Sequence, residues 1–188
     1  MTAWRIEVRD PEDPGARGAV SAYSAELDAL LGASSPTIVD PDPDAYRPPR
    51  GIFLVVLAAD APTGAAATRD ATDEDVAGDG VAADVVLGCA GLRTIELPGE
   101  GPVAEVKRMW VSGRLRGAGV GRSLLERLHE EARARGLTRV VLDSKRELLD
   151  ARRLYLAAGY RDIPPYGANA DATVWMGLDL SAATPDPS

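Results

Sequence analysis

Ala104-Glu105-Val106-Lys107-Arg108-Met109-Trp110-Val111 is followed by Ser112-Gly113-Arg114-Leu115, and then by Arg116-Gly117-Ala118-Gly119-Val120-Gly121. Val103 to Val111 reads as a strand bounded by turn residues. Beyond the glycines, Leu124, Leu125, Leu128 and Ala132 recur at helical spacing. Arg133, Arg135 and then Gly136 supply the stop signals, so Ser123 to Arg135 is an amphipathic helix that opens from Arg122. Three glycines at alternate positions let the backbone approach a ligand closely. They also leave N–H groups pointing off the helix N-terminus, where the aligned peptide dipoles favour a phosphate. Arg116 and Arg122 flank the turn and can add charge-assisted hydrogen bonds. A Walker A loop does not fit, because Arg116 stands where its first glycine belongs and Arg122 where its lysine belongs. A dinucleotide fingerprint fails at Arg122, where its third glycine is required.

Outward from this centre, the pattern gives a mixed sheet with helices packed on it. Trp4 to Val8 alternates as a half-buried strand, Ala19 to Leu31 has helical spacing, and Gly32 ends it. Five prolines make Ser34 to Arg50 a loop. Gly51 to Ala58 is a continuous apolar run, hence an interior strand. Ala59 to Ala83 has no apolar period and carries Asp70, Asp73, Glu74, Asp75 and Asp79, as an acidic flexible loop would. Asp84 to Glu96 and Val103 to Val111 flank the turn Pro98-Gly99-Glu100-Gly101-Pro102 as a hairpin. Strands at Thr138 to Asp143, Tyr160 to Ile163 and Thr173 to Leu180, with a helix at Leu148 to Ala158, complete one domain over residues 1–180. Residues 181–188 form a frayed tail.

The chain of 188 residues needs no disulfide or metal staple to hold a core. Cys89 is its single cysteine, no signal-peptide pattern opens it, and its longest apolar run, Ile52 to Ala59, is too short to span a bilayer. A reducing, cytoplasmic setting without membrane or nucleic-acid partner is expected, the last because the formal charge is −8. That charge is unevenly spread. Residues 105–161 carry 14 basic and 7 acidic side chains, and the remainder 7 and 22. The asymmetry suggests that the glycine-turn segment handles an anion, although arginine-rich helices solvating their outer faces account for it equally well.

Arg116-Gly117-Ala118-Gly119-Val120-Gly121, in the pattern R-x-x-G-x-G between a strand and an amphipathic helix, resembles the pyrophosphate-binding motif of the GNAT superfamily of N-acetyltransferases. The preceding strand resembles that family's strand at this place. Ala151-Arg152-Arg153-Leu154-Tyr155-Leu156-Ala157-Ala158-Gly159-Tyr160 resembles its A-x-x-L-Y-x-x-x-G-F/Y signature. The resemblance implies an α/β (α+β) fold: a mixed, mostly antiparallel twisted sheet of six to seven strands with helices on both faces. It implies acetyl-CoA as cosubstrate, no metal, and a small-molecule or peptide amine as acceptor, and it allows a homodimer. It also places the CoA diphosphate on Arg116, Gly117, Ala118, Gly119, Val120, Gly121, Arg122 and Ser123. The pantetheine arm then runs beside Met109, Trp110 and Val111, with the thioester carbonyl near the Val111 N–H.

Two side chains are candidates for proton transfer. Glu105 matches a position where some family members place a general base, and otherwise reads as a solvent-facing carboxylate paired with Lys107 or Arg108. Tyr155 matches the family's usual acid, yet it shares a helical face with Ala151, Leu154 and Ala158 and so also reads as a core aromatic. His129, the only histidine, lies among Arg127, Glu130 and Glu131 and reads as an exposed structural residue. Cys89 reads as a buried inert thiol. Close family members often have Thr-Gly where this chain has Ser144-Lys145, so Ser144 is either a ligand contact or a strand-end cap. Tyr166, Asn169 and Trp175, with Tyr23, Tyr46 and Phe53, are candidates for the acceptor side, although Trp175 reads more readily as a core residue of the last strand. The acidic remainder favours a cationic acceptor. The competing reading is an acyl-CoA-binding sensor without catalysis, which needs the glycine turn but neither Glu105 nor Tyr155.

Overall fold

A computed structural model describes residues 3–32, 42–59 and 86–181. The acidic stretch expected as a loop and the C-terminal tail therefore lie almost wholly outside the described residues. The chain runs β1 (Trp4–Val8), α1 (Pro14–Leu31), a 3-10 turn (Pro43–Tyr46), β2 (Gly51–Ala58), β3 (Val86–Leu97) and β4 (Gly101–Val111). It continues through a second 3-10 turn (Gly113–Leu115), α2 (Val120–Ala134), β5 (Arg139–Ser144), α3 (Leu149–Ala157), β6 (Arg161–Asp162) and β7 (Val174–Asp179). The strands form one seven-stranded sheet in the order β1-β2-β3-β4-β5-β7-β6. Every neighbouring pair is antiparallel except β4 and β5.

Two helices begin earlier than the apolar period alone predicts. α1 starts at Pro14 because the Asp13 carboxylate accepts from the N–H groups of Gly15 and Ala16, and proline suits the first helical position. α2 starts at Val120, directly after Gly119 in the left-handed conformation. Gly121 thus lies inside the helix, where a Cβ would stand 3.0 Å from the Leu154 side chain. Its lack of a side chain lets α2 and α3 close on each other.

The sheet buries both faces. Ala104, Val106, Val140 and Leu142 meet Leu124, Leu125 and Leu128 of α2 and Tyr155 of α3 on one side. Phe53, Val55, Leu57 and Cys89 meet Ala16 and Ala19 of α1 on the other. Tyr46 and Phe53, expected near the acceptor, are core residues here: both are buried, and their rings pack edge to face at 6.0 Å. His129 is also buried, at 7% exposure, which corrects the expectation of an exposed position. It lies one turn beyond Leu125 on the buried face of α2, and its Nε2 is 2.9 Å from the Tyr160 hydroxyl. That hydrogen bond lets a polar ring sit in the core.

Candidate active site

The parallel pair β4–β5 is short. Its register covers only Ala104↔Val140, Glu105↔Val141 and Val106↔Leu142. Beyond it β5 continues beside β7, whereas Lys107 to Val111 continue beside β3 alone, and a split opens between the two strands. A bulge shapes this part of β4. The register with β3 shifts between Cys89 and Gly91, and Arg108 takes a φ of 55°. The buried Cys89 thiol donates to the Arg108 carbonyl at 3.2 Å, and burial pushes its ionisation up to about 12. Beyond the bulge, the Ser112 N–H donates to the Leu87 carbonyl at 2.8 Å. Strand alternation then turns the N–H and C=O of Val111 the other way, into the split.

The glycine turn closes one end of the split. Gly117 and Gly119 hold φ of 78° and 80°, and a Cβ on either would enter open space. No side chain caps the N-terminus of α2, so its first N–H groups are left to a ligand or to water. Ser123 is one turn into the helix, its N–H already donating to the Gly119 carbonyl at 3.1 Å. The flanking arginines have partners. Arg122 donates to Glu126 at 2.8 Å. Arg116 donates through Nε to the Val111 carbonyl at 3.2 Å and through its Nη2 to the Glu26 carboxylate.

On the α1 side of the split lies a chain of charges. Arg93 Nε donates to Glu105 Oε2 at 2.6 Å, and Lys107 Nζ is 3.5 Å from Glu105 Oε1. Lys107 also donates to Asp143 Oδ1, while Asn169 donates to Asp143 Oδ2. Glu105 is only 3% exposed, which corrects the expectation of a solvent-facing carboxylate. It faces Arg93 across the hairpin, not open water. Lys107 was expected as a partner and is one, whereas Arg93 was missed. The Lys107–Asp143 bridge takes over where the β4–β5 backbone ladder stops.

Trp175 sits opposite Asp143 in register, half-buried, and its indole N–H donates to the Tyr166 carbonyl at 3.2 Å. The Tyr166 hydroxyl is buried near Glu105 without a well-formed hydrogen bond, and burial together with the Glu105 and Asp143 charges raises its ionisation. Asn169 and Tyr166 thus do meet the split, through Asp143 and Glu105. Among the described residues the Ser144 side chain caps nothing; its carbonyl accepts from the Thr173 N–H at 2.9 Å.

From the other face, α3 supplies Tyr155, 6% exposed, with its ring tilted on that of Tyr160. Its hydroxyl has no hydrogen-bond partner among the described residues. Burial, with Tyr23 and Asp143 adding to it, raises its ionisation well above the usual phenol value, so it keeps its proton at neutral pH. Tyr155 belongs to the core cluster against which Met109 and Val111 of β4 pack. Tyr23 itself is pushed up to about 12 by burial.

Residues 47–160 match the acetyltransferase (GNAT) family. The chain belongs to that family. The match spans more than half of the chain and encloses the split, the glycine turn and Tyr155. An IAA acetyltransferase of Azospirillum brasilense is 40% identical over 82 residues, 44% of this chain and 52% of that protein. The chain thus spans about half the length of that relative. An uncharacterised N-acetyltransferase of Schizosaccharomyces pombe is 31% identical over 137 residues, 72% of this chain and 68% of that one. Among solved structures, an acetyltransferase from Streptococcus agalactiae shares the fold at a TM-score of 0.69 and 16% identity, over 96% of this chain and 100% of that one. The protein yncA from Salmonella typhimurium, solved with its cofactor acetyl-CoA, aligns over 100% of both chains at a TM-score of 0.58 and 22% identity.

Acetyl-CoA is the donor in this family, and the residues here fit it. The open backbone at Gly117 and Gly119, the uncapped start of α2 and the Val111 amide turned into the split are the features a diphosphate and an extended thioester arm require. A separate cavity of about 400 Å³, lined by Arg139, Arg161, Ile163 and Asp179 among others, lies at the β5–β7–β6 edge, away from the split. Among the described residues, no helix is long and apolar enough to cross a membrane.

Proposed function

We propose that this protein is an acetyl-CoA-dependent N-acetyltransferase that acts on a primary amine by direct attack in a ternary complex. The observation that supports this reading is an open β4 edge beside an uncapped helix start, with the buried Tyr155 phenol in the core cluster against which Met109 and Val111 of that edge pack. Bound there, acetyl-CoA supplies a thioester carbonyl open to attack and a thiolate as leaving group. The backbone N–H groups of residues 117–121 and the start of α2 hold the diphosphate, with Arg116 and Arg122 beside them. Met109 and Val111 lend their backbone edge to the extended arm, with Trp110 between them facing α1. The Val111 N–H stabilises developing negative charge on the carbonyl oxygen. Tyr155 gives its proton to the departing sulfur.

The acceptor enters from the α1 side, between Tyr23, Trp175 and the Arg93–Glu105–Lys107–Asp143 chain. Glu105 serves there as the base. Because both of its oxygens already have cationic partners, it receives the amine's proton through water. Direct attack is favoured over an acyl-enzyme because Cys89, the only cysteine, is fully buried and bonded to the Arg108 carbonyl. The acid excess outside residues 105–161 favours a cationic acceptor.

The decisive experiment mixes the full chain, acetyl-CoA and a panel of amines, peptides and antibiotics, and follows thiol release. Amine-dependent release is expected. Tight CoA binding with no release for any acceptor would make the protein a sensor, and radiolabel left on denatured protein without acceptor would exclude direct attack.

A further inference from the structure

Glu26, in the C-terminal half of α1, joins that helix to β4 and to the glycine turn. Its Oε2 accepts from the Trp110 indole N–H at 2.9 Å, and its Oε1 is ion-paired with Arg116, the first residue of the glycine turn. Arg116 is anchored independently, its Nε donating to the Val111 carbonyl at 3.2 Å. An acceptor-side helix thereby holds the guanidinium that flanks the diphosphate site. A phosphate would draw on the same Nη donors as Glu26.

We propose that Glu26 is an internal rival for Arg116: donor binding exchanges the Glu26–Arg116 ion pair for an Arg116–phosphate pair and leaves Glu26 on Trp110 alone, so occupancy of the glycine turn is coupled to α1. This rests on the reading of the turn as the donor's diphosphate site. Three features make the exchange easy. The ion pair is half-exposed, and such pairs hold weakly. A guanidinium–phosphate contact is charge-assisted and admits two parallel hydrogen bonds. The Val111 carbonyl and the Trp110 indole keep the two side chains anchored at one end each, so neither must reorganise fully.

The test is calorimetric titration of the purified full chain with free CoA. Glu26→Gln keeps an acceptor for the Trp110 N–H and removes the charge. It should tighten CoA about two- to five-fold, the range by which a half-exposed ion pair competes. In an Arg116→Ala background the same substitution should change CoA affinity by less than about 1.5-fold, since the rivalry is then gone. Unchanged or weaker binding in Glu26→Gln overturns the proposal, and so does equal tightening in both backgrounds, which would reveal only general repulsion. Should Glu26→Gln not fold, Glu26→Ser carries the same expectations. A wild-type chain that binds no CoA at all would instead overturn the reading of the glycine turn, so the two failures are distinguishable.

Discussion

Acidification should destabilise this protein first through one side chain, His129. His129 is buried on α2, and burial lowers its pKa to about 4, with the positive charge of Arg133 adding to the shift and the negative charge of Glu126 opposing it. An unfolded histidine titrates near about 6.5. Above that pH the ring is neutral in both states and its burial costs nothing. Below it, the unfolded chain binds a proton that the folded chain refuses, so stability falls as pH falls, until the folded ring also protonates near pH 4. At about 1.36 kcal/mol per pKa unit, the loss is about 2 kcal/mol at pH 5 and about 3 kcal/mol once the folded ring is protonated. Few other groups compete in this window. The chain has a single histidine, and among the described residues the carboxylate with the largest shift, Asp10, is lowered to about 2 by Arg47 and the Glu12 N–H. Its contribution is lost only at more acid pH. Urea unfolding at pH 7, 6 and 5 should therefore show a decline of about 2 kcal/mol, or about 4–8 °C in melting temperature for a chain of this size. His129→Gln, which retains a polar partner for the Tyr160 hydroxyl, should flatten the slope whatever its level at pH 7. Parallel slopes for wild type and variant would refute the assignment.

Three other perturbations separate the parts of the site. Tyr155→Phe should lower turnover about 10- to 1000-fold while leaving CoA affinity within about threefold, because a proton donor acts on the leaving group and not on the diphosphate; unchanged turnover removes it from that role. Gly119→Asp should abolish CoA binding by calorimetry, at a stability cost of about 1 kcal/mol for holding Asp at a φ of 80°. A Cβ there meets nothing within 4 Å, whereas a carboxylate would occupy the anion site. Lys107→Met should lower stability by about 3 kcal/mol in urea unfolding, since it leaves the nearly buried Asp143 carboxylate with Asn169 alone; a loss below about 1 kcal/mol would show the bridge to be solvated.

What sequence could reveal followed the range of the interactions. The glycine turn, its flanking strand and its helix are local, and each appears where the spacing puts it. The order of elements implies a mixed sheet with helices packed on it, and the family resemblance adds six to seven strands with helices on both faces; the sheet has seven. Element starts were less legible, because Asp13 and Pro14 mark the beginning of α1 by cap chemistry and not by apolar period. His129 was misread from its charged neighbours, although its position one turn after Leu125 puts it on the buried stripe. The Arg93–Glu105 pair was within reach. Four steps back from the turn pair Leu97↔Gly101, hairpin register sets these two residues opposite each other. By contrast, Glu26 and Arg116 are 90 positions apart, and no period or register connects α1 to the glycine turn before the fold is known.

The position of the split follows from one topological exception. In a sheet otherwise antiparallel, β4 and β5 run parallel, so the chain must return by a crossover, and α2 is that crossover. A crossover helix starts where its first strand ends, which sets the positive end of α2 beside the end of β4. The bulge at Arg108 turns that same end of β4 away from β5, and the pairing stops after Val106. The uncapped N–H groups and the unpaired strand edge are thus consequences of a single parallel connection. A diphosphate on one and an extended amide-bearing arm on the other would be held at a spacing fixed by the Ser112 to Gly119 link. Lengthening that link by one residue would leave the fold's core contacts in place while separating the two halves of the proposed donor site. That is the physical reason a short turn between strand and helix carries so much of the functional reading.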